Sequence, residues 1–150
     1  MKYFLLIFLL SGCAILRTDP CELYEVSSSL ESRNNQTICF QTIDSYDLNY
    51  TGKRNINIYG KLFFPKKIAK QYNAVILSHG SGGLRRYHRK YVDLLVSNGY
   101  VVFQLDHYMG RGIKYDKTFS KVSGITFMND AYYALNLLRT HPNIEKIAYV

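Results

Sequence analysis

Five consecutive residues, His79-Gly80-Ser81-Gly82-Gly83, follow the apolar run Ala74 to Leu77 and precede a helical pattern. A strand that leads through a glycine-rich loop into a helix points backbone N–H groups at an anion. Two chemistries use such a turn. Phosphate binding is the first, but its loop pattern requires Lys-Ser/Thr after the last glycine. Here Gly83 is followed by Leu84-Arg85, and the glycine spacing of the dinucleotide pattern is also missing. The second is the oxyanion hole of an ester hydrolase, where a loop N–H after an early strand stabilises a tetrahedral intermediate. The second use fits this loop better.

The elements that must position the loop can be read from hydrophobic period. Residues 14 to about 35 have none and read as a tether or irregular lead-in. Thr37 to Ile43 and Asn55 to Phe64 are rich in β-branched and aromatic residues, with Ile56 and Ile58 alternating with Asn55 and Asn57, and Pro65 closes the second. From Asn73 onward strands and helices alternate, as in a parallel α/β sheet. Ala74 to Leu77 is a short continuous apolar run suited to burial on both faces, and Tyr100 to Leu105 reads as a second buried strand. Between them, residues 86–98 put Tyr87, Tyr91, Leu94 and Leu95 on one helical face, ended by Gly99. A loop holding Gly110, Arg111 and Gly112 comes next. A second helix is expected from about Ser123 to Arg139, with Met128, Ala131, Tyr132, Leu135 and Leu138 on its buried face and Pro142 beyond it. Ile144 to Val150 forms a third strand. No internal repeat and no low-complexity tract is present.

The series Ala74-Val75-Ile76-Leu77-Ser78-His79-Gly80-Ser81-Gly82-Gly83, then Asn98-Gly99-Tyr100-Val101-Val102, then Asp106 and Arg111-Gly112, resembles the dienelactone hydrolase branch of the α/β-hydrolases. Asp130 in the following helix and the strand Ile144 to Val150 continue the agreement, which covers roughly residues 55 to 150. The resemblance implies an α/β-hydrolase fold, of which this chain supplies the N-terminal half of a mostly parallel doubly wound sheet. It implies a small-molecule ester or lactone as substrate and no cofactor or metal. It assigns the oxyanion hole to the backbone N–H near Ser81, with Gly80 and Gly82 permitting the tight loop. Losing one such donor costs about 3–4 kcal/mol of transition-state stabilisation. In this fold the catalytic histidine comes late in the chain, so His79 is expected to brace the loop, and His88, His107 and His141 to hold surface or loop roles. Asp106 reads as structural. Arg111 is expected to pair with Asp106 or to receive a substrate carboxylate, with Arg85 and Arg86 weaker candidates for the second role.

What the series lacks is the nucleophile elbow, G-x-S-x-G or its cysteine version, which turns sharply between a central strand and a helix. Neither spacing occurs in the 150 residues, so no triad is assigned. A sheet ending at the third parallel strand would leave Ile147 and Tyr149 beside an unpaired central edge. The expectation is therefore a hydrolase cut before its nucleophile. The alternative is a non-catalytic envelope lipoprotein that reuses the hydrolase scaffold, since fold does not fix function.

Lys2 followed by the apolar run Tyr3 to Leu10 reads as a signal peptide over residues 1–12, too short to span a bilayer. Leu10-Ser11-Gly12-Cys13 resembles the bacterial lipobox, which makes Cys13 the candidate lipidation site. The mature protein is then exported and held on a membrane, facing the periplasm or cell exterior. In that oxidising setting Cys21 and Cys39 are candidates for a disulfide. The remainder divides into a lead-in over 13–36 and an incomplete domain over 37–150. The net charge of +8 raises nucleic acid as a partner. The lysines are scattered, however, and the one dense group, Arg85, Arg86, His88, Arg89 and Lys90, carries no nucleic-acid motif. No nucleic-acid partner is expected.

Overall fold

An apolar strand with neighbours on both edges needs cover on both faces, and the chain builds its centre from such strands. The computed structural model describes residues 19–32, 34–44 and 54–150. In it Tyr72–Leu77 (β3) lies between Val101–Asp106 (β4) and Ile144–Tyr149 (β5), parallel to both. Gln36–Asp44 (β1) and Arg54–Phe63 (β2) pair antiparallel, and β2 runs antiparallel along β4, giving the order β1-β2-β4-β3-β5. The described sheet is thus mixed: β3, β4 and β5 are mutually parallel, and the β1–β2 pair is added against them.

Two helices cover opposite faces. Side chains alternate along a strand, so Ile76 and Phe103 point to one face, Leu77 and Val102 to the other. Gly124–Arg139 (α2) sets Ala134, Leu137 and Leu138 in the core containing Ile76 and Phe103. His88–Ser97 (α1) sets Val92 against Leu77 and Val102. This is the α/β, doubly wound arrangement expected.

The helices are rotated from the faces read in the sequence. In α1 the buried residues are His88 and Val92, with Leu95 and Val96 packed beside them, while Tyr91 and Leu94 are exposed. Positions 88, 92, 95 and 96 repeat the same i, i+4, i+7, i+8 spacing one residue later, and counting His88 as polar hides it. In α2 the buried residues are Thr126, Asp130, Ala134, Leu137 and Leu138. Met128 and Tyr132 face solvent. Two of the buried positions are polar, so a purely apolar period passes over them.

The described part of the lead-in, from Asp19 on, is docked on the sheet. A 3-10 turn at Pro20–Glu22 carries Cys21, which is joined to Cys39 of β1 by a disulfide with Cα atoms 5.5 Å apart. Leu30 is buried in the main core, and its N–H donates to Thr140 Oγ1 at 2.8 Å. The expected signal peptide and Cys13 lie outside the described residues.

Candidate active site

Parallel neighbours end at the same edge of a sheet, so the residues that follow β3 and β4 meet there. Ser78 leaves β3 with its N–H still donating to the Val150 carbonyl at 2.7 Å, and the chain then turns through Gly80–Gly83. The loop is held by its carbonyls. Gly80 O accepts from Gly83 N at 3.0 Å and from His79 Nδ1 at 2.8 Å. Ser81 O accepts from Asp116 N at 3.0 Å and from Tyr108 Oη at 3.4 Å. The N–H groups of Gly80, Ser81 and Gly82 have no protein acceptor among the described residues. Pinned carbonyls with open N–H groups give the loop the polarity an oxyanion requires. Gly83, at φ 72°, turns the chain into α1 where a Cβ would strike the Lys114 carbonyl.

His79 is buried between these parts. Its Nδ1–H is committed to Gly80 O, and its Nε2 accepts the backbone N–H of His107 at 3.1 Å. Both ring nitrogens are spent on backbone, which is a bracing geometry. Asp106 accepts from Tyr59 Oη at 3.0 Å and from the N–H groups of Tyr108 and Met109 at 2.9 and 3.0 Å. Burial by itself pushes the Asp106 carboxyl up, but the N–H groups of Met109 and Tyr108 pull the other way, and it is held below the usual range.

A second network begins at Asp130, fully buried in α2. Its Oδ1 accepts from Thr42 Oγ1 at 2.9 Å and Arg111 Nη2 at 3.0 Å. Its Oδ2 accepts from Arg111 Nη1 at 2.9 Å and His107 Nδ1 at 2.8 Å. An ionised carboxylate only accepts, so His107 carries its proton on Nδ1 and presents Nε2 as an acceptor. Ser78 Oγ lies 2.7 Å from that nitrogen. Ser78, His107 and Asp130 are therefore hydrogen-bonded in the order of a serine relay. Arg111 is spent on Asp130, with Nε 3.8 Å from Asp44 Oδ1. This corrects two expectations. The partner of Arg111 is Asp130 rather than Asp106, and its side chain, 4% exposed, is turned away from any substrate carboxylate. Gly110 makes this approach feasible, since a Cβ there would collide with the Asn57 backbone.

Of the surface or loop roles expected of the other histidines, the loop placement holds for His107 and His141 and the surface placement for none. His88, His107 and His141 are all buried. His88 Nδ1 meets the backbone of Arg85, and His141 accepts from Asn143 N at 3.1 Å and packs on Phe64. An imidazole that meets a backbone group through a ring nitrogen and packs its apolar faces can be buried, which an exposure rule based on polarity does not capture. The relay was missed because its members are 29 and 23 residues apart on three elements. The usable signal was that Ser78 and His107 each stand just past an apolar parallel strand.

Beside the loop lies a cleft of about 630 Å³ whose walls include Tyr59, Lys61, Arg85, Arg89, Tyr108 and Lys114. Arg85 thus faces this cleft, and Arg86 is simply exposed. Among the described residues no group of three His, Cys, Asp or Glu side chains could hold a metal ion.

A family model for acetyl xylan esterase matches residues 21–132, well over half of the chain. Among solved structures, a protein named m3DLH superposes with a TM-score of 0.52 at 16% identity, covering 77% of this chain and 48% of that one. A dienelactone hydrolase-like promiscuous phosphotriesterase from metagenomic libraries aligns with a TM-score of 0.46 at 14% identity, covering 75% of this chain and 48% of its own. The chain spans about half the length of the solved structures it matches. No curated protein matches it. The likeness to the first structure establishes the α/β-hydrolase fold.

Burial gives the site a defined acid response. It is the main cause that pushes His88 and His107 below 6.5, offset in part by the Arg85 backbone at the first and Asp130 at the second. Between pH 6.5 and those lower values the unfolded chain takes up protons that the folded chain refuses, so stability is whole above 6.5 and falls as pH drops through the window. Asp106 is held below 3.8, and its share is lost only as pH falls further, through its folded value. Urea midpoints measured against pH are expected to fall in these two steps. A midpoint unchanged between pH 6.5 and 4 would contradict the buried, neutral histidines.

Proposed function

This chain belongs to the acetyl xylan esterase family, and from that premise we propose that it is the N-terminal part of a dienelactone hydrolase-like enzyme cleaving carboxylic esters or lactones. Acetyl esters of a carbohydrate are the first substrates to try. The observation that carries the reading is the Gly80–Gly82 loop, with its carbonyls anchored and its N–H groups open at the carboxyl end of a parallel strand. In the complete protein the nucleophile follows β5 on an elbow next to that loop. Its hydroxyl or thiol adds to the ester carbonyl, the loop N–H groups take the developing oxyanion, and the alcohol leaves. Water then releases the acid from the acyl-enzyme. The lysines and arginines of the adjoining cleft suit a polar or anionic part of the substrate.

We further propose that residues 1–12 are removed and that lipid on Cys13 fixes the protein to a membrane in an exported compartment. The Leu10-Ser11-Gly12-Cys13 sequence supports this, and the Cys21–Cys39 disulfide suits an oxidising environment.

The complete protein is expected to release acetate from acetylated sugars or p-nitrophenyl acetate. Replacing Ser81 by Pro, which deletes its N–H, should lower kcat by about 10²–10³-fold. Failure of the complete protein to hydrolyse any acetyl ester or lactone would refute the assignment and favour the non-catalytic lipoprotein. Separately, cells fed a labelled fatty acid should attach it to the parent protein and not to the Cys13→Ser variant; equal labelling of both rules out the lipid anchor.

A further inference from the structure

The relay described above contains the parts of a serine nucleophile within the first 130 residues. We propose that Ser78 is itself an acyl-accepting serine, with His107 as its general base and Asp130 as the group that orients the base, independent of any nucleophile after Val150. The substrate class is small activated carboxylic esters and their phosphonyl analogues.

Geometry carries the assignment. Asp130 fixes the His107 proton on Nδ1 at 2.8 Å, which leaves the Nε2 lone pair aimed at Ser78 Oγ 2.7 Å away. The competing contact of Ser78 Oγ, to the His79 carbonyl, is longer at 3.3 Å. Asp130 cannot swing away, because Thr42 and both terminal nitrogens of Arg111 hold it. His107 is stacked on Phe127 with ring centroids 3.9 Å apart and touches His79 edge-on. His107 and Asp130 are fully buried, whereas Ser78 is half-buried and is the least buried member of the relay. The open N–H groups of Gly80, Ser81 and Gly82 follow it directly in the chain. Half-burial is what limits the class to small acyl groups.

In the proposed step Ser78 Oγ attacks the carbonyl carbon and its proton passes to His107 Nε2. The Oγ–acyl bond forms, the ester C–O bond breaks, and the departing alkoxide takes the proton back from Nε2. With an alkyl fluorophosphonate the Oγ–P bond forms, the P–F bond breaks, and fluoride leaves.

The test is to treat the full chain with an alkyl fluorophosphonate and locate the adduct by peptide mass spectrometry. The expected result is one phosphonyl group on Ser78, absent in Ser78→Ala. General-base assistance is worth about 10²–10⁴-fold, so labelling of a folded His107→Gln variant should slow by about 100-fold or more. Where that variant does not fold, Ser78→Cys serves instead: the thiol it introduces should react with iodoacetamide at pH 7 faster than free cysteine does. The proposal is overturned by folded protein that stays unlabelled at Ser78, by equal rates with and without His107, or by a Ser78→Cys thiol no faster than free cysteine. An adduct confined to a residue beyond Val150 would overturn it too, while supporting the ester-hydrolase reading.

Discussion

The buried carboxylate of Asp130 collects donors from three separate parts of the chain: Thr42 on β1, His107 just past β4, and Arg111 from the turn beyond. A charge with no solvent contact persists only when its lone pairs are met and an opposite charge stands close. Arg111 supplies the charge, and the hydroxyl and imidazole complete the shell. Because the four contacts converge on one helical residue, α2 is fixed in rotation as well as in position. That rotation sets which of its apolar residues reach the sheet.

From this carboxylate the order of the site follows outward. Asp130 sets the His107 ring, the His107 backbone N–H sets the His79 tautomer, and His79 Nδ1 anchors the Gly80 carbonyl. Asp106 braces the same region from the other side through Tyr59 and the turn at Tyr108 and Met109. The loop that carries the open N–H groups is therefore held from beneath by two buried imidazoles and two paired carboxylates. Such a frame holds the open N–H groups of the loop in one arrangement.

Much of this was legible from residue order. The continuous apolar run Ala74 to Leu77 marked one buried parallel strand and Tyr100 to Leu105 a second, which starts one residue later at Val101, and the glycine-rich sequence marked the turn between strand and helix. Cys21 and Cys39 were readable as candidates, although only their Cα separation of 5.5 Å decides that they can bridge. Helix faces were less legible. Both helices carry a second apolar stripe, Tyr91 and Leu94 in α1 and Met128 and Tyr132 in α2, that competes with the true one. The buried face of α2 contains Thr126 and Asp130, so polarity points the wrong way there. The relay was illegible for a related reason: its members come together only through strand order, and chain order places a histidine before any recognised nucleophile.

The dependence of the site on one carboxylate is tested most directly by Asp130→Asn. The amide keeps the shape but removes the charge, leaving buried Arg111 with Asp44, 3.8 Å away, as its acidic neighbour among the described residues. Denaturant unfolding of the variant against the parent is expected to show a loss of about 3–5 kcal/mol. A loss under about 1 kcal/mol, the size of an exposed ion pair, would contradict the account.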